Sequence, residues 1–306
     1  MSTESPESAG HVPVLLQEVL DFLAVRPGGV YCDATLGLGG HAEGVLDRCG
    51  PDGRLFGIDR DPKALEKSRD RLGVFGDRAT FLHGCFGGIR DVLSAAGAPP
   101  LDGCLVDVGV SSMQLDVPER GFSFRNQGPL DMRMDPTQGE SAADLISRLP
   151  EEELASILWT YGEERNSRRI ARAIVADREA TPFTTTTQLS SLIGRIVRGR
   201  ERGKDPATRS FQALRIAVND ELGEIDRFLS GVLSCLKPGG RLVLITFHSL
   251  EDRLVKHRLR DMAGKTGKEK EVTLLTKHVV TASDEECARN PRSRSAKLRA
   301  VEKVMP

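Results

Sequence analysis

Within its 306 residues the sequence has no stretch approaching the roughly 20 apolar residues of a membrane span. Its first ten residues, Met1 to Gly10, are rich in Ser, Glu and Pro, with neither the apolar core of a signal peptide nor the Arg-rich character of a transit peptide. The expectation is a disordered tail over 1–10 on a cytoplasmic protein that no membrane holds. Six cysteines, at 32, 49, 85, 104, 235 and 287, form no C-x-x-C pair. A zinc site needs close ligand pairs, and a secreted disulfide framework is usually denser in a shorter chain, so reduced thiols and no metal site are expected. There are no internal repeats. Net charge is missing too: 43 Lys+Arg against 44 Asp+Glu leave −1, which taken whole argues against a nucleic-acid partner. What is present is ordinary globular usage, 39% apolar and 28% charged, in a chain long enough for one large domain or two modest ones.

Residues 28–108 alternate short apolar strands with helices. Strands are expected over 30–34, 54–59, 80–83 and 103–108, with helices around 41–49 and from Pro62 to Leu72. This rhythm predicts a parallel sheet covered by helices on both faces. It stops at 109–140, a stretch with four Gly, three Pro and no clean period. So long a loop inside a compact domain is usually functional. Helical spacing then appears at Leu154, Ile157, Leu158 and Tyr161, at Ile170 and Ile174, and at Leu189, Leu192, Ile193 and Ile196. Residues 137–203 therefore read as an all-helical insertion. Beyond it one long helix is expected through Leu214, Val218, Leu222, Ile225, Leu229 and Leu236, broken at Lys237-Pro-Gly-Gly. A strand over 241–247, a helix over 251–260 and a strand over 272–280 follow.

The first strand runs into Asp33-Ala-Thr-Leu-Gly37-Leu-Gly39-Gly40-His41. Glycines here let the backbone bend sharply and approach a ligand beside a helix N-terminus. Asp59, 20 residues after Gly39, ends the second strand where an acid accepts hydrogen bonds from ribose hydroxyls. Two ligands compete. Gly37-x-Gly39-x-x-Ala42 fits the dinucleotide fingerprint, hence NAD and an oxidoreductase. S-adenosylmethionine is favoured by Asp33, which suits a cationic amino group and repels a pyrophosphate, and by Asp107, a second acid at the end of the fourth strand. A structural turn without a ligand is the plain alternative.

The sequence closely resembles one family, the ribosomal small-subunit (16S) RNA cytidine N4-methyltransferases, known as RsmH or MraW. The matching stretches include His11-Val-Pro-Val-Leu-Leu, the glycine turn at 33–41, Gly57-Ile-Asp-Arg-Asp-Pro, Asp107-Val-Gly-Val-Ser-Ser and Arg120-Gly-Phe-Ser-Phe. Further along come Asp131-Met-Arg-Met-Asp-Pro, Tyr161-Gly-Glu-Glu-Arg, Ser210-Phe-Gln-Ala-Leu-Arg-Ile, Phe247-His-Ser-Leu-Glu-Asp-Arg and Asn290-Pro-Arg-Ser-Arg-Ser. The resemblance implies a Rossmann-like class I methyltransferase sheet over 11–136 and 204–306, interrupted by the helical insertion. It implies S-adenosylmethionine as cofactor, with contacts from Gly39, Gly40, His41, Asp59, Phe86, Asp107 and Gln114. It also implies small-subunit ribosomal RNA, free or in the assembled subunit, as substrate, and leaves a homodimer open. A cofactor-sensing RNA-binding assembly factor without turnover stays as a further alternative. Met113 stands where the family often has Pro, and Asp205 where it often has His.

Cytidine's exocyclic amine is a poor nucleophile, so methyl transfer needs it held in line, with acceptors drawing its hydrogens. Asp107 and the hydroxyls of Ser111 and Ser112 are the candidate acceptors; cofactor binding by Asp107 and turn-capping by the serines are the alternative. Phe122 and Phe124, in the 109–140 loop, are candidates to stack on the target base, or else a hydrophobic plug. His248 is a candidate for stacking or late proton acceptance, although water can take the proton.

Charge distribution corrects the zero total. Residues 165–215 hold twelve Lys/Arg against four Asp/Glu, and residues 287–306 hold six against one. A basic stripe beside an acidic body suits phosphate binding. The expected RNA contacts are Arg165, Arg168, Arg172, Arg198, Arg200, Arg202, Arg292, Arg294 and Lys297. Solvated helix faces are the plain alternative.

Overall fold

The computed structural model describes residues 13–197 and 205–305. The chain divides into two compact units, one built from the residues up to 109 together with those from 222 onward, the other from 110–221. The first unit opens with α1 (Leu16–Leu23), β1 (Val30–Asp33), α2 (Gly40–Arg48), β2 (Arg54–Asp59), α3 (Pro62–Leu72), β3 (Ala79–His83), α4 (Ile89–Ala95) and β4 (Leu101–Asp107). The second holds α5 (Ser112–Asp116), α6 (Ala142–Arg148), α7 (Glu151–Gly162), α8 (Ser167–Arg178), α9 (Thr186–Ile196) and α10 (Thr208–Asn219). The chain returns through α11 (Glu221–Cys235), β5 (Leu236–Thr246), α12 (Ser249–Met262), β6 (Val272–Leu274), α13 (Asp284–Arg289) and β7 (Lys297–Lys303).

Among the described residues the sheet has seven strands in the order β3-β2-β1-β4-β5-β7-β6. β1 to β5 run parallel, and β7 is antiparallel to both β5 and β6. This is the expected doubly wound class I methyltransferase sheet. Both faces are covered, so its strands alternate between two cores. Cys32, Phe56, Ile58, Cys104, Val106, Leu242 and Leu244 face one, against α4, α11 and α12. Tyr31, Leu55, Leu105, Val243 and Ile245 face the other, against α1, α2 and α3. Near-continuous apolar runs are the mark of such doubly covered strands.

The helical unit is wider than the 137–203 expected. Leu130 and Met132 from the long loop, and Phe211, Ala213 and Leu214 from α10, are buried in one cluster with Leu154, Leu158, Ile170, Ile174, Leu189 and Ile193. Each such aliphatic side chain contributes roughly 1.5–3 kcal/mol by leaving water, which ties both flanks to the helices. The loop is also pinned through its backbone: the Leu130 N–H donates to the Thr184 carbonyl at 2.9 Å, and Arg120 donates to the carbonyls of Arg133 and Met134.

Three further expectations change. The single helix through 214–236 is two, because Asp220 takes a left-handed conformation (φ 48°) that ends α10. The strand over 272–280 shortens to β6, leaving Val280 as one isolated bridge to Leu298. The basic C-terminal stretch is not a tail: Leu298, Ala300 and Val301 are buried in β7, which lies between β5 and β6.

Candidate active site

Three carboxylates end three adjacent strands: Asp59 on β2, Asp33 on β1 and Asp107 on β4. The glycine turn after β1 knits them together. Asp33 Oδ1 accepts the Thr35 N–H at 3.2 Å, and Thr35 Oγ1 accepts the Asp107 N–H at 2.7 Å. Asp59 accepts from the Gly37 N–H at 2.7 Å and the Asp61 N–H at 2.8 Å, one on each oxygen. Gly39 precedes α2 with φ 78°, and a Cβ there would lie 3.1 Å from Leu72 Cδ1, so both conformation and space favour glycine. Gly40 begins α2 against Pro13, and His41 follows with its Nε2 2.8 Å from the Val14 carbonyl. A carbonyl only accepts, so Nε2 carries the proton, while Nδ1 points to Asp107 Oδ2 at 3.9 Å.

Burial dominates the electrostatics. It pushes the Asp33 carboxyl up to about 7 and the Asp59 carboxyl up to about 6, against which their backbone N–H partners pull back. Asp107 is driven well above the usual carboxylate range by burial first, then by the charges of Asp33 and Glu251. Among the described residues its buried Oδ1 has no hydrogen-bond partner. An unsatisfied buried acceptor costs about 1–3 kcal/mol, a cost that a donor group on a ligand removes. The pocket of acids therefore suits a cationic ligand bearing N–H and O–H donors; a pyrophosphate would meet three carboxylates. S-adenosylmethionine fits this set. Asp33 would meet its ammonium, Asp59 its ribose hydroxyls through the remaining oxygen lone pairs, and Asp107 its far end.

Sequence reasoning passed over several supports. Thr35 joins β1 to β4, as above. Phe86, after β3, packs edge-on against Phe228 of α11 with centroids 5.7 Å apart, and Glu224 of the same helix accepts the neighbouring Gly87 N–H at 2.8 Å. A Cβ on Gly87 would fall 2.6 Å from that carboxylate, so the loop's closeness to α11 was written in its glycine. His248 caps α12: its Nδ1 accepts the Glu251 N–H at 3.4 Å, while the fully buried Glu251 carboxylate accepts from the N–H groups of Phe247 and His248. Its Ser/Thr-x-x-Glu-like spacing was the available signal.

Of the remaining predicted site residues, Ser111, Ser112, Gln114, Phe122, Phe124, Arg165, Arg168 and Arg172 lie in the second unit, and Arg292, Arg294 and Lys297 in the first. Ser111 Oγ accepts the Gln114 N–H, and Gln114 Oε1 accepts the Ser111 N–H at 3.0 Å, a reciprocal cap on α5. Ser112 is the first residue of that helix. Phe122 is buried beneath the Arg120 guanidinium, and Phe124 packs edge-on against Phe211 with centroids 4.9 Å apart. Among the predicted RNA contacts, Arg165 and Arg168 are exposed, Arg172 pairs with Glu151 at 3.3 Å, and Arg292 and Arg294 are exposed. Lys297 is half-buried in β7 and shares Asp252 with Arg299, at 3.6 and 2.8 Å. Arg198, Arg200 and Arg202 lie outside the described residues.

This fold and this arrangement of strand-end acids define a methyltransferase that uses S-adenosylmethionine. A family model described as the MraW methylase family matches residues 8–304, and the chain belongs to that family. It is similar to the ribosomal RNA small subunit methyltransferase H of Nitratidesulfovibrio vulgaris (strain DP4), 52% identical over 314 residues, covering 98% of this chain and 97% of the other. The protein of the same name from Pelobacter propionicus is 52% identical over 308 residues, covering 96% and 98%. Among solved structures, a SAM-dependent O-methyltransferase from Thermotoga maritima aligns over 98% of this chain and 69% of that chain, with 10% identity and a TM-score of 0.43. Membership of the methylase family removes the oxidoreductase alternative. No helix among the described residues is long and apolar enough to cross a membrane.

Proposed function

We propose that this protein methylates the N4 exocyclic amine of a cytidine in 16S ribosomal RNA, in the free RNA or the small subunit. The names of its half-identical relatives support small-subunit RNA as substrate. The motifs resembling the N4-methyltransferase family support the cytidine amine. The observation that carries the chemistry is the unpartnered, buried Oδ1 of Asp107. A cytidine amine offers an N–H to such an acceptor, and the acceptor frees the nitrogen lone pair from the ring.

Bound S-adenosylmethionine supplies an electrophilic methyl and a permanent positive charge. The positive charge favours ionised carboxylates, so it returns Asp107 toward its ionised, accepting form. When the cofactor is bound, Asp107 would hold the amine nitrogen for transfer of the methyl carbon, with loss of the carbon–sulfur bond. The extra proton leaves to water, and Asp107 orients the amine while that happens. Asp33 and Asp59 bind; they do not react. The cap formed by Ser111 and Gln114 gives both a supporting role on α5, ahead of an acceptor role for the serine hydroxyls. Phe122 and Phe124 anchor the 109–140 loop from within the helical unit, and that loop is the proposed gate for the target base. Arg165, Arg168, Arg292 and Arg294 are the proposed phosphate contacts.

Nucleosides from small-subunit RNA, prepared with and without this protein and compared by mass spectrometry, test the proposal. N4-methylated cytidine that depends on the protein is expected; an unchanged level refutes it.

A further inference from the structure

The chain's single tryptophan, Trp159, is 60% exposed. It sits on α7, which buries Leu154, Ala155 and Leu158 in the core of the helical unit. The packing of that core makes no use of the indole. Along the helix its exposed neighbours are Ser156, Thr160 and Glu163, all polar. A lone aromatic with a polar surround is a poor protein-docking patch, since those gather several apolar side chains.

Cations collect where α7 ends. Glu163 closes the helix in a left-handed conformation (φ 50°), its N–H donating to the Trp159 carbonyl at 3.0 Å. Its own carbonyl accepts from Arg209 of α10 at 3.1 Å. The chain then presents Arg165 and, at the start of α8, Arg168. Both are exposed and, among the described residues, neither has a hydrogen bond or an ion pair. The nearest acid along the chain is already spent: Glu164 is 3% exposed and accepts from the backbone and side-chain N–H groups of Asn166 at 2.8 and 3.2 Å. Of the exposed acids, Glu163 lies one turn beyond Trp159, while Glu152 and Glu153 belong to the first turn of α7, roughly 10 Å back along the helix axis.

We propose that Trp159 is a stacking platform for an unpaired base of the RNA substrate, with Arg165 and Arg168 holding the phosphates beside it. The inference rests on the reading of RNA as substrate. An indole face accepts any base, and adjacent guanidinium groups neutralise the backbone between stacked bases. The platform thus grips the strand without reading its sequence, on a different unit from the one that carries the strand-end acids.

Because the tryptophan is the only one, its emission reports directly. Titration of the full chain with oligocytidylate is expected to quench it saturably, and added salt to reverse the quenching. Trp159→Ala is expected to raise the KM for small-subunit RNA roughly tenfold while kcat and the S-adenosylhomocysteine Kd stay put, and Trp159→Phe to restore most of the loss. The side chain is exposed, so thermal unfolding of both variants should match the parent. An active parent whose Trp159→Ala variant keeps its KM overturns the inference. So does emission that ignores oligocytidylate in a chain whose self-association depends on Trp159, which hands the surface to a second copy. If the parent methylates no RNA, the substrate reading fails instead, and the quenching titration still decides whether the ring stacks on bases.

Discussion

The two units treat charge in opposite ways. The sheet unit buries carboxylates at its strand ends and offers them backbone N–H groups, or in the case of Asp107 Oδ1 nothing. The helical unit spends its acids on local structure: Asp144 closes a capping box with Ser141, and Glu164 holds the entry to α8. Several of its cations are consumed the same way, Arg178 on the carbonyls of Ile146 and Leu149 and Arg215 in a two-point pair with Glu221. What remains facing water there is of both signs, Glu152, Glu153 and Glu163 alongside Arg165 and Arg168. Buried charge answers to pH and to a ligand's charge; exposed charge answers to salt.

That contrast can be broken most forcefully at Asp107. Asp107→Ala is expected to lower kcat by roughly a hundredfold or more, the scale of losing one preorganised charge-stabilising group. Calorimetric affinity for S-adenosylhomocysteine is expected to change far less. An affinity that collapses in parallel would make Asp107 a cofactor ligand only. Next comes Asp59→Ala, which removes the acceptor of the Gly37 and Asp61 N–H groups along with the ribose acceptor. Hydrogen bonds to a charged group are worth about 1.5–3 kcal/mol each, so the Kd for S-adenosylhomocysteine should rise roughly 10- to 100-fold.

The pH response separates the units more gently. Asp33 and Asp59 have folded-state values raised to about 7 and about 6, so between about pH 4 and 7 the folded chain holds more protons than the unfolded one. Their contribution to stability is complete below about pH 4 and is lost as pH rises through 6 and 7. The ligand-free Tm should therefore fall over that window from these groups, while S-adenosylmethionine affinity climbs as they ionise. Asp33→Asn should flatten both trends; a flat parent profile would show these acids are not buried as described. The smallest effect belongs to the helical unit. Arg165→Ala with Arg168→Ala should reduce the slope of log KM for RNA against log salt by about two, one per phosphate contact. Cofactor affinity should not move.

Local signals were readable where neighbours in sequence do the work. The glycine turn, its 20-residue spacing to Asp59 and the switch from strand to helix period all sit within one βαβ stretch. The rest depends on who packs against whom. Counting Lys297, Arg299 and Lys303 as a basic tail overlooked Asp252, which pairs with the first two, and the carbonyls of Leu233 and Leu236, which take the third. The alternation of Leu298 and Ala300 with Lys297 and Arg299 was visible, but the charge count masked it. The helical unit's edges were not legible either, because Leu130, Met132 and Leu214 join it through a core assembled from distant segments.

The position of β7 sets a timetable for making the protein. Among the described residues it is the last strand in chain order, yet it lies between β5 and β6, and β6 pairs there with no other strand. While the chain emerges from the ribosome, β5 waits with one open edge, and the cluster that Leu298, Ala300 and Val301 complete stays unfilled. The first five strands have their neighbours by then; the sheet does not close until the final segment is out. Chains ending before Lys297 would thus carry an apolar strand edge ready to pair with another chain.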